Sequence, residues 1–452
     1  MTITDHLRLL PFRTPALAAL LLATLSALRA DHVFVAFRAD DDGGLARVAL
    51  DADGTPVADA TTILFRAPSF RDAAKLRISG DGRRAVLNAE TESSGDPNLA
   101  LLDLQTPAAP FPLPPSPPPP PRLLTLDFLP EEHRIWRDRA FVGGKDGHLA
   151  ALDLASGRIT HRWNSRQQLA PPGHKPEDIQ ILDTEGLLLA SHQKDGKKGR
   201  QGSRIVILKA TDLSLVADLP LPRNHPELHL SAREAGPSPE VIRADHASNT
   251  LLVTLDLYGA LAFADLDAAL RGQWQHLDYL PTGPDAGQWG TAFPDRVILA
   301  SHGGRTLAFV SNASQDGGIA VFDIAARRRV AFFPVEAGCD YPVLVDGGRT
   351  VATVVSGKRK RRLADRLENI TMPGADLILI DVARAAAGDT AALARVPMPG
   401  NVTRIASLPG HPTLVAIGLT APDTVVIYDT AARRSPGAVP LPGKPVNIGT
   451  TR

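Results

Sequence analysis

The sequence predicts an all-β chain folded as a single eight-bladed β-propeller of four-stranded antiparallel blades. Three observations carry this expectation. A short alternating apolar strand that ends in a polar residue recurs eight times at nearly even spacing. Each copy has the same upstream partner, a polar turn followed by a second apolar strand. The two ends of the chain each look like part of an incomplete blade.

The recurring strand reads ARVALD ending at Asp51, LALLD at Asp103, LAALD at Asp153, IVILK at Lys209, LAFAD at Asp265, IAVFD at Asp323, LILID at Asp381 and VVIYD at Asp429. The copies lie roughly 50 residues apart, the size of one propeller blade. Period-two alternation marks half-buried strands. Seven copies end in aspartate, and each opens a turn such as Asp153-Leu-Ala-Ser-Gly157. There a carboxylate accepts backbone N–H groups two or three residues on, so these aspartates are expected to pin hairpins rather than to catalyse.

The upstream partner appears as SGDGRRAVLN (79–88), DHASNTLLVT (245–254), SHGGRTLAFVS (301–311), VDGGRTVATVV (345–355) and LPGHPTLVAIG (408–418). Gly, Asp and Asn supply the positive-φ conformations of tight hairpin turns. Short strands such as AKLRI (74–78) and EVIRA (240–244) precede the turn. Others such as RITHRW (158–163) follow the marker, giving four strands per unit. The weakest unit is the third, near 133–137, which leaves seven blades as the alternative. HVFVAF (32–37) reads as a second strand without its first, and KPVNIG (444–449) as a first strand with no blade after it. Pairing them closes the ring and removes two exposed edges.

The order of turn, strand, loop, strand ending in Asp, turn and strand resembles the YVTN-type repeat proteins. These are similar to WD40 repeats and to the quinoprotein amine dehydrogenase-like and lactonase-like propellers. The resemblance rests on residues 79–82 with 101–103, 303–310 with 321–323, and 347–355 with 378–381, and extends over nearly the whole chain after residue 30. It implies a fold, not an activity. Some propellers of this group are lactonases and others bind haem d1 or quinone cofactors. No residue set here maps onto those sites.

Composition narrows the function. Of 452 residues, 44% are hydrophobic, enough for a large core, and Lys+Arg equals Asp+Glu at 49 each. A balanced chain lacks the broad positive field of a nucleic-acid binder. The single cysteine, Cys339, excludes an internal disulfide and a CxxC motif. Arg8 and Arg13 precede an apolar run from Ala16 to Leu28 that closes at Ala30, the order of a secretory signal. Residues 1–30 are therefore expected to direct export to the periplasm or beyond, with 31–452 as the propeller. The run is too short to span a membrane. The proline-dense stretch 107–122 is expected to be an extended insertion between third and fourth strands.

HExxH, GxSxG, a phosphate loop and GxGxxG are all lacking. A binding scaffold is therefore the expected function, with no catalytic residue, metal or cofactor assigned. A propeller enzyme, lactonase-like hydrolase or cofactor-dependent oxidoreductase, is the alternative. First-strand residues Lys75, Arg243, Arg296, Arg404 and Lys444 are expected to reach the funnel, where they suit an anionic small molecule or a peptide terminus. His225, His229 and Trp289 are further ligand candidates in blade connections. Pro226 argues against the helix that would put the two histidines on one face. Lys358, Arg359, Lys360, Arg361 and Arg362, with Lys197 and Lys198, form a basic loop patch for an anionic partner. The protein is expected to act as a monomer.

Overall fold

Alternating strands that bury one face each cannot stand alone, and here they stack into a ring. The computed structural model describes residues 31–451 except 91–94, 105–119, 171–174, 194–202, 223–236, 275–276, 286–288, 315, 337, 363–366 and 372–373. It contains eight four-stranded antiparallel sheets, one per blade. Blades 2 to 8 span 73–124, 130–164, 176–220, 239–281, 294–334, 340–397 and 401–440. Blade 1 takes its first strand from the C-terminal Lys444–Thr451 and its other three from residues 32–67. His32 pairs with Thr451 and Phe34 with Gly449, so the last strand closes the circle as expected. The poorly defined third unit is a full blade whose first strand is Pro130–Trp136.

The apolar faces pair between blades. Eight clusters of buried apolar side chains lie among the described residues, one at each junction. At the junction of blades 3 and 4, Phe141 and Trp163 pack with Ile179, Leu188 and Val206. At the closing junction Val33 and Val35 of blade 1 pack with Leu414, Ala416 and Val425 of blade 8. Every blade thus covers its neighbours, and stacking removes this apolar area from water. Cys339 is wholly buried in the junction of blades 6 and 7.

The aspartate markers act as turn pins. Asp51 Oδ1 accepts the N–H groups of Asp53 and Thr55, each at 2.9 Å. Asp153, Asp265, Asp323 and Asp381 accept from the residue three positions on. In blade 4, where lysine replaces the marker, Asp212 takes over and accepts from Ser214 at 2.9 Å.

The proline-dense stretch falls between the third strand Leu99–Asp103 and the fourth strand Arg122–Leu124 of blade 2. Arg122, its last residue by sequence, already belongs to the strand. A two-stranded hairpin, Lys358–Arg362 with Leu367–Thr371, is inserted between the second and third strands of blade 7. No helix among the described residues is long and apolar enough to cross a membrane. Residues 1–30 lie outside the described residues.

Candidate functional site

The first strands form the innermost ring of a propeller, and their entrances share one local design. Five carry proline at the same register position, Pro130, Pro176, Pro239 and Pro294 as the first residue of the strand and Pro445 as the second. Directly after it the pairing with the second strand shifts. Proline lacks an N–H, so it fits the first residue of a strand whose outer edge has no partner. In blades 2, 4 and 5 the irregularity frees one backbone N–H, which a side chain of the second strand captures. Lys75 N–H donates to Asn88 Oδ1 at 2.8 Å, Asp178 N–H to Ser191 Oγ at 2.9 Å, and Val241 N–H to Thr254 Oγ1 at 2.9 Å. Buried Asn and Ser side chains reach across the junction as well, Asn88 donating to Pro130 O and Ser191 to Glu240 O.

This entrance fixes which residues meet at the axis. Two positions after the shared point stand Lys75, Glu132, Asp178, Arg296 and Arg404, and four positions after it Arg77, Arg134 and Arg243. They interlock across blades. Glu132, only 1% exposed, takes Lys75 at 3.0 Å, Arg77 at 2.7 Å and Arg134 at 2.7 Å. Arg134 also reaches Asp178 at 2.7 Å, and Arg243 grips the other oxygen of Asp178 at 2.8 Å. Ile242 N–H donates to that same oxygen at 3.1 Å. The result is a charge ladder running Lys75/Arg77, Glu132, Arg134, Asp178, Arg243 from blade 2 to blade 5.

Burial alone would push the Glu132 carboxyl up. The charges of Arg77, Lys75 and Arg134 outweigh it and hold the group well below the usual carboxylate range. Asp178 behaves alike, with Arg243 and Arg134 outweighing its burial. His133, next in the strand, is buried and pushed down to about 3, first by burial and then by Arg77. Its Nε2 lies 3.0 Å from Val86 O and must carry the proton, because a carbonyl only accepts.

The opposite wall differs. Arg296 and Arg404 flank the ring of Tyr341, with guanidinium carbons 5.5 Å and 3.7 Å from its centroid. Among the described residues Arg296 Nε has one ion-pair partner, Asp295 at 3.4 Å, and Arg404 donates only to the backbone of Thr403 at 3.1 Å. The Nε of each is buried without a hydrogen-bond partner. The Asp295 charge outweighs burial and raises Arg296 well above its ordinary value, and Glu132 and Asp178 add to this from across the channel.

A rim of acids stands one residue nearer the strand entrances. Glu131 meets Lys145 and Lys175, each at 3.5 Å, and Lys175 also pairs with Glu177. Gln193 donates to Glu240 at 2.7 Å. Among the described residues no three His, Cys, Asp or Glu gather as a metal site would require.

Of the residues singled out by sequence, Lys75, Arg243, Arg296 and Arg404 come together here. Lys444 does not join them. It is exposed at the start of its strand opposite Arg38, and Asn447 holds the position that Arg404 holds in blade 8. Trp289 packs, with Trp274 and Tyr279, against the apolar junction of blades 4 and 5. Arg361 lies exposed on the blade 7 hairpin and pairs with Glu368 at 2.6 Å. Lys358, Arg359, Lys360 and Arg362 share that strand. His225, His229, Lys197 and Lys198 lie outside the described residues. Sequence reasoning missed Glu132, Asp178, Arg77, Arg134 and Tyr341. PEEHR, PEDIQ, PEVIR and PDRVI at 130, 176, 239 and 294 repeat a proline followed by an acid, a signal for the rim acids Glu131, Glu177, Glu240 and Asp295 but not for Glu132 and Asp178 one residue on.

No family model matches the chain, and a search of curated proteins finds no match. Solved structures do resemble it. Apo AztD from Citrobacter koseri aligns over 93% of this chain and 98% of its own, with 12% identity and a TM-score of 0.55. The fold they share is the β-propeller. The C-terminal WD40 domain of Sif2 matches this propeller over 89% of the chain and 93% of its own, with 14% identity and a TM-score of 0.53. The periplasmic gluconolactonase PpgL of Pseudomonas aeruginosa matches over 94% and 99%, with 14% identity and a TM-score of 0.50. At these identities the likeness is one of fold alone.

Proposed function

We propose that this propeller is an exported, periplasmic binding protein that takes an anionic small molecule or a peptide's terminal carboxylate into its central channel. The observation that carries the reading is the charge of the innermost wall. Lys75, Arg77, Arg134, Arg243, Arg296 and Arg404 face only Glu132 and Asp178 at the same two strand positions. Cations held by rigid strands in a narrow channel focus an attractive field on an incoming anion. Export is supported by the order of charge, apolar run and small residue in 1–30.

The alternative, a lactonase-like hydrolase or cofactor-dependent oxidoreductase, has less support. A general acid or base needs a proton poised near the working pH. Glu132 and Asp178 are instead held ionised by their cations.

The test is thermal unfolding of the purified protein titrated with citrate, gluconate, inorganic phosphate and a short peptide at constant ionic strength. A ligand that binds only the folded state raises the melting temperature in a saturable way. No rise beyond that given by sodium chloride would defeat the binding reading. Fusing residues 1–30 to a reporter active only after export tests the localisation.

A further inference from the structure

We infer that the ligand's oxyanion is held on the blade 6–8 side of the channel, between the guanidinium groups of Arg296 and Arg404 and against Tyr341. The inference rests on the reading that the channel takes an anion, and it assigns which wall does so and to what chemistry.

The two walls are unequally satisfied. On the ladder side the carboxylates already occupy the cations. Glu132 takes three of them, and Asp178 takes two and a backbone N–H. An anion arriving there must displace a formed charge-assisted hydrogen bond, which is stronger than a neutral one. On the other side no such competitor holds Arg404. Among the described residues its one hydrogen bond goes to its neighbour's carbonyl, and its Nε is buried without a hydrogen-bond partner. Arg296 Nε makes no hydrogen bond among the described residues either, its contact with Asp295 being an ion pair at 3.4 Å. Two like charges sharing one aromatic ring repel, and an oxyanion between them relieves the repulsion while supplying the acceptors both forks lack.

Tyr341 completes the wall. Its φ is +56°, as at Ser238 and Phe293, which likewise precede a proline at the start of a first strand. Its ring sets an aromatic face between the two arginines, with Arg404 stacked at 3.7 Å. Tyr341 Oη is in no hydrogen bond with a described residue and is available to donate to the same ligand. Guanidinium forks recognise carboxylate and phosphate alike, so the shared chemistry is an oxyanion. A carboxylate and a phosphate source are separated by the probes.

The experiment is isothermal titration of the whole protein with acetate, citrate and inorganic phosphate at constant ionic strength, alongside the ligand-free melting temperature. The variants are Arg404→Gln, Arg296→Gln, Arg404→Lys, Tyr341→Phe and Lys75→Gln. Arg404→Gln and Arg296→Gln are each expected to weaken the best oxyanion roughly tenfold or more. The ligand-free melting temperature of Arg404→Gln stays level or rises, because a like-charge contact is removed, whereas that of Arg296→Gln falls, because Asp295 loses its cation. Arg404→Lys keeps the charge but not the fork, and is expected to lose about fivefold. Tyr341→Phe loses roughly threefold, and Lys75→Gln less than that. The stronger of the carboxylate and phosphate probes names the source. If the wild type binds an oxyanion but Lys75→Gln loses the affinity while the Arg296 and Arg404 variants keep it, this assignment is overturned and the binding reading stands. A lowered ligand-free melting temperature in Arg404→Gln and Arg404→Lys, with unchanged affinity, assigns Arg404 to structure and also overturns it. If the wild type binds none of the probes, the binding reading itself fails.

Discussion

Glu132 shows how much one buried residue can organise. It is 1% exposed, yet it neutralises Lys75, Arg77 and Arg134 from two blades. Glu132→Gln leaves three cations crowded together in a poorly solvated place. Breaking a buried ion network from one side typically costs about 3–5 kcal/mol. Urea unfolding is expected to show a loss of that order, and a change within error would refute the role. The same region sets a pH dependence. His133 is pushed down to about 3 by burial and Arg77, and His32 to about 4 by burial and Arg47. The unfolded chain protonates both as pH falls through about 6.5, while the folded chain does not, so the unfolded state gains protons and stability drops. Between about pH 6.5 and 4 each group costs up to roughly 1.4 kcal/mol per pH unit. Glu132 and Asp178, held low by their cations, contribute stability that is present above about pH 4 and is lost only at stronger acidity. The urea midpoint is therefore expected to fall from pH 7 to 4.5, and a flat profile would contradict the burial of both rings.

Two small devices hold strands in register, the second of them in blades 2, 4 and 5. One is the aspartate that pins the turn after the third strand. The other is the Asn, Ser or Thr of the second strand that captures the freed N–H at the entrance of the first. Thr254→Val keeps the shape but strands the Val241 N–H in the interior, at about 1–3 kcal/mol. Denaturant unfolding measures that loss, and Thr254→Ser is expected to restore most of it. Between blades the close approach is glycine's work. A Cβ on Gly143 would stand 2.2 Å from Pro176 Cγ of the next blade, and one on Gly418 would stand 3.0 Å from Pro445 Cβ. Gly143→Ala is thus expected to cost about 1–3 kcal/mol through overpacking. A neutral result would mean that the proline of blade 4 has room to move.

Taken as a whole, the ring is stabilised by neighbour contacts, one apolar cluster per junction, and it has no natural end until the C-terminal strand returns. Removing residues 444–451 unpairs His32–Arg38 along one side and opens the clusters on both faces of blade 1. An unpaired inner edge invites association with other chains. The truncated protein is expected to aggregate or elute as an oligomer on size exclusion, whereas a monodisperse, equally stable product would show that the closing strand is dispensable. The same closure makes the channel. Residues from blades 2, 3, 4 and 5 meet only because the ring holds their first strands around one axis.

The architecture was legible in the residues because strand alternation and turn chemistry are local. ARVALD, LALLD and their counterparts carry a period of two and an aspartate whose partners lie within four positions. HVFVAF and KPVNIG announced their own missing neighbours. The cations Lys75, Arg243, Arg296 and Arg404 could be named for the same reason, each lying in a recognisable first strand. Lys444 could not be separated from them, because the register that puts Asn447, three residues on, in its stead depends on pairing with residues 32–38. Which charges are satisfied also escaped the sequence. Whether an arginine is spoken for depends on Glu132 and Asp178 arriving from other blades, and electrostatic pairing falls off over a few ångströms. Only the closed ring, by fixing those separations, left Arg404 without a carboxylate among the described residues and Arg296 with only its neighbour Asp295, while it saturated Arg77, Arg134 and Arg243.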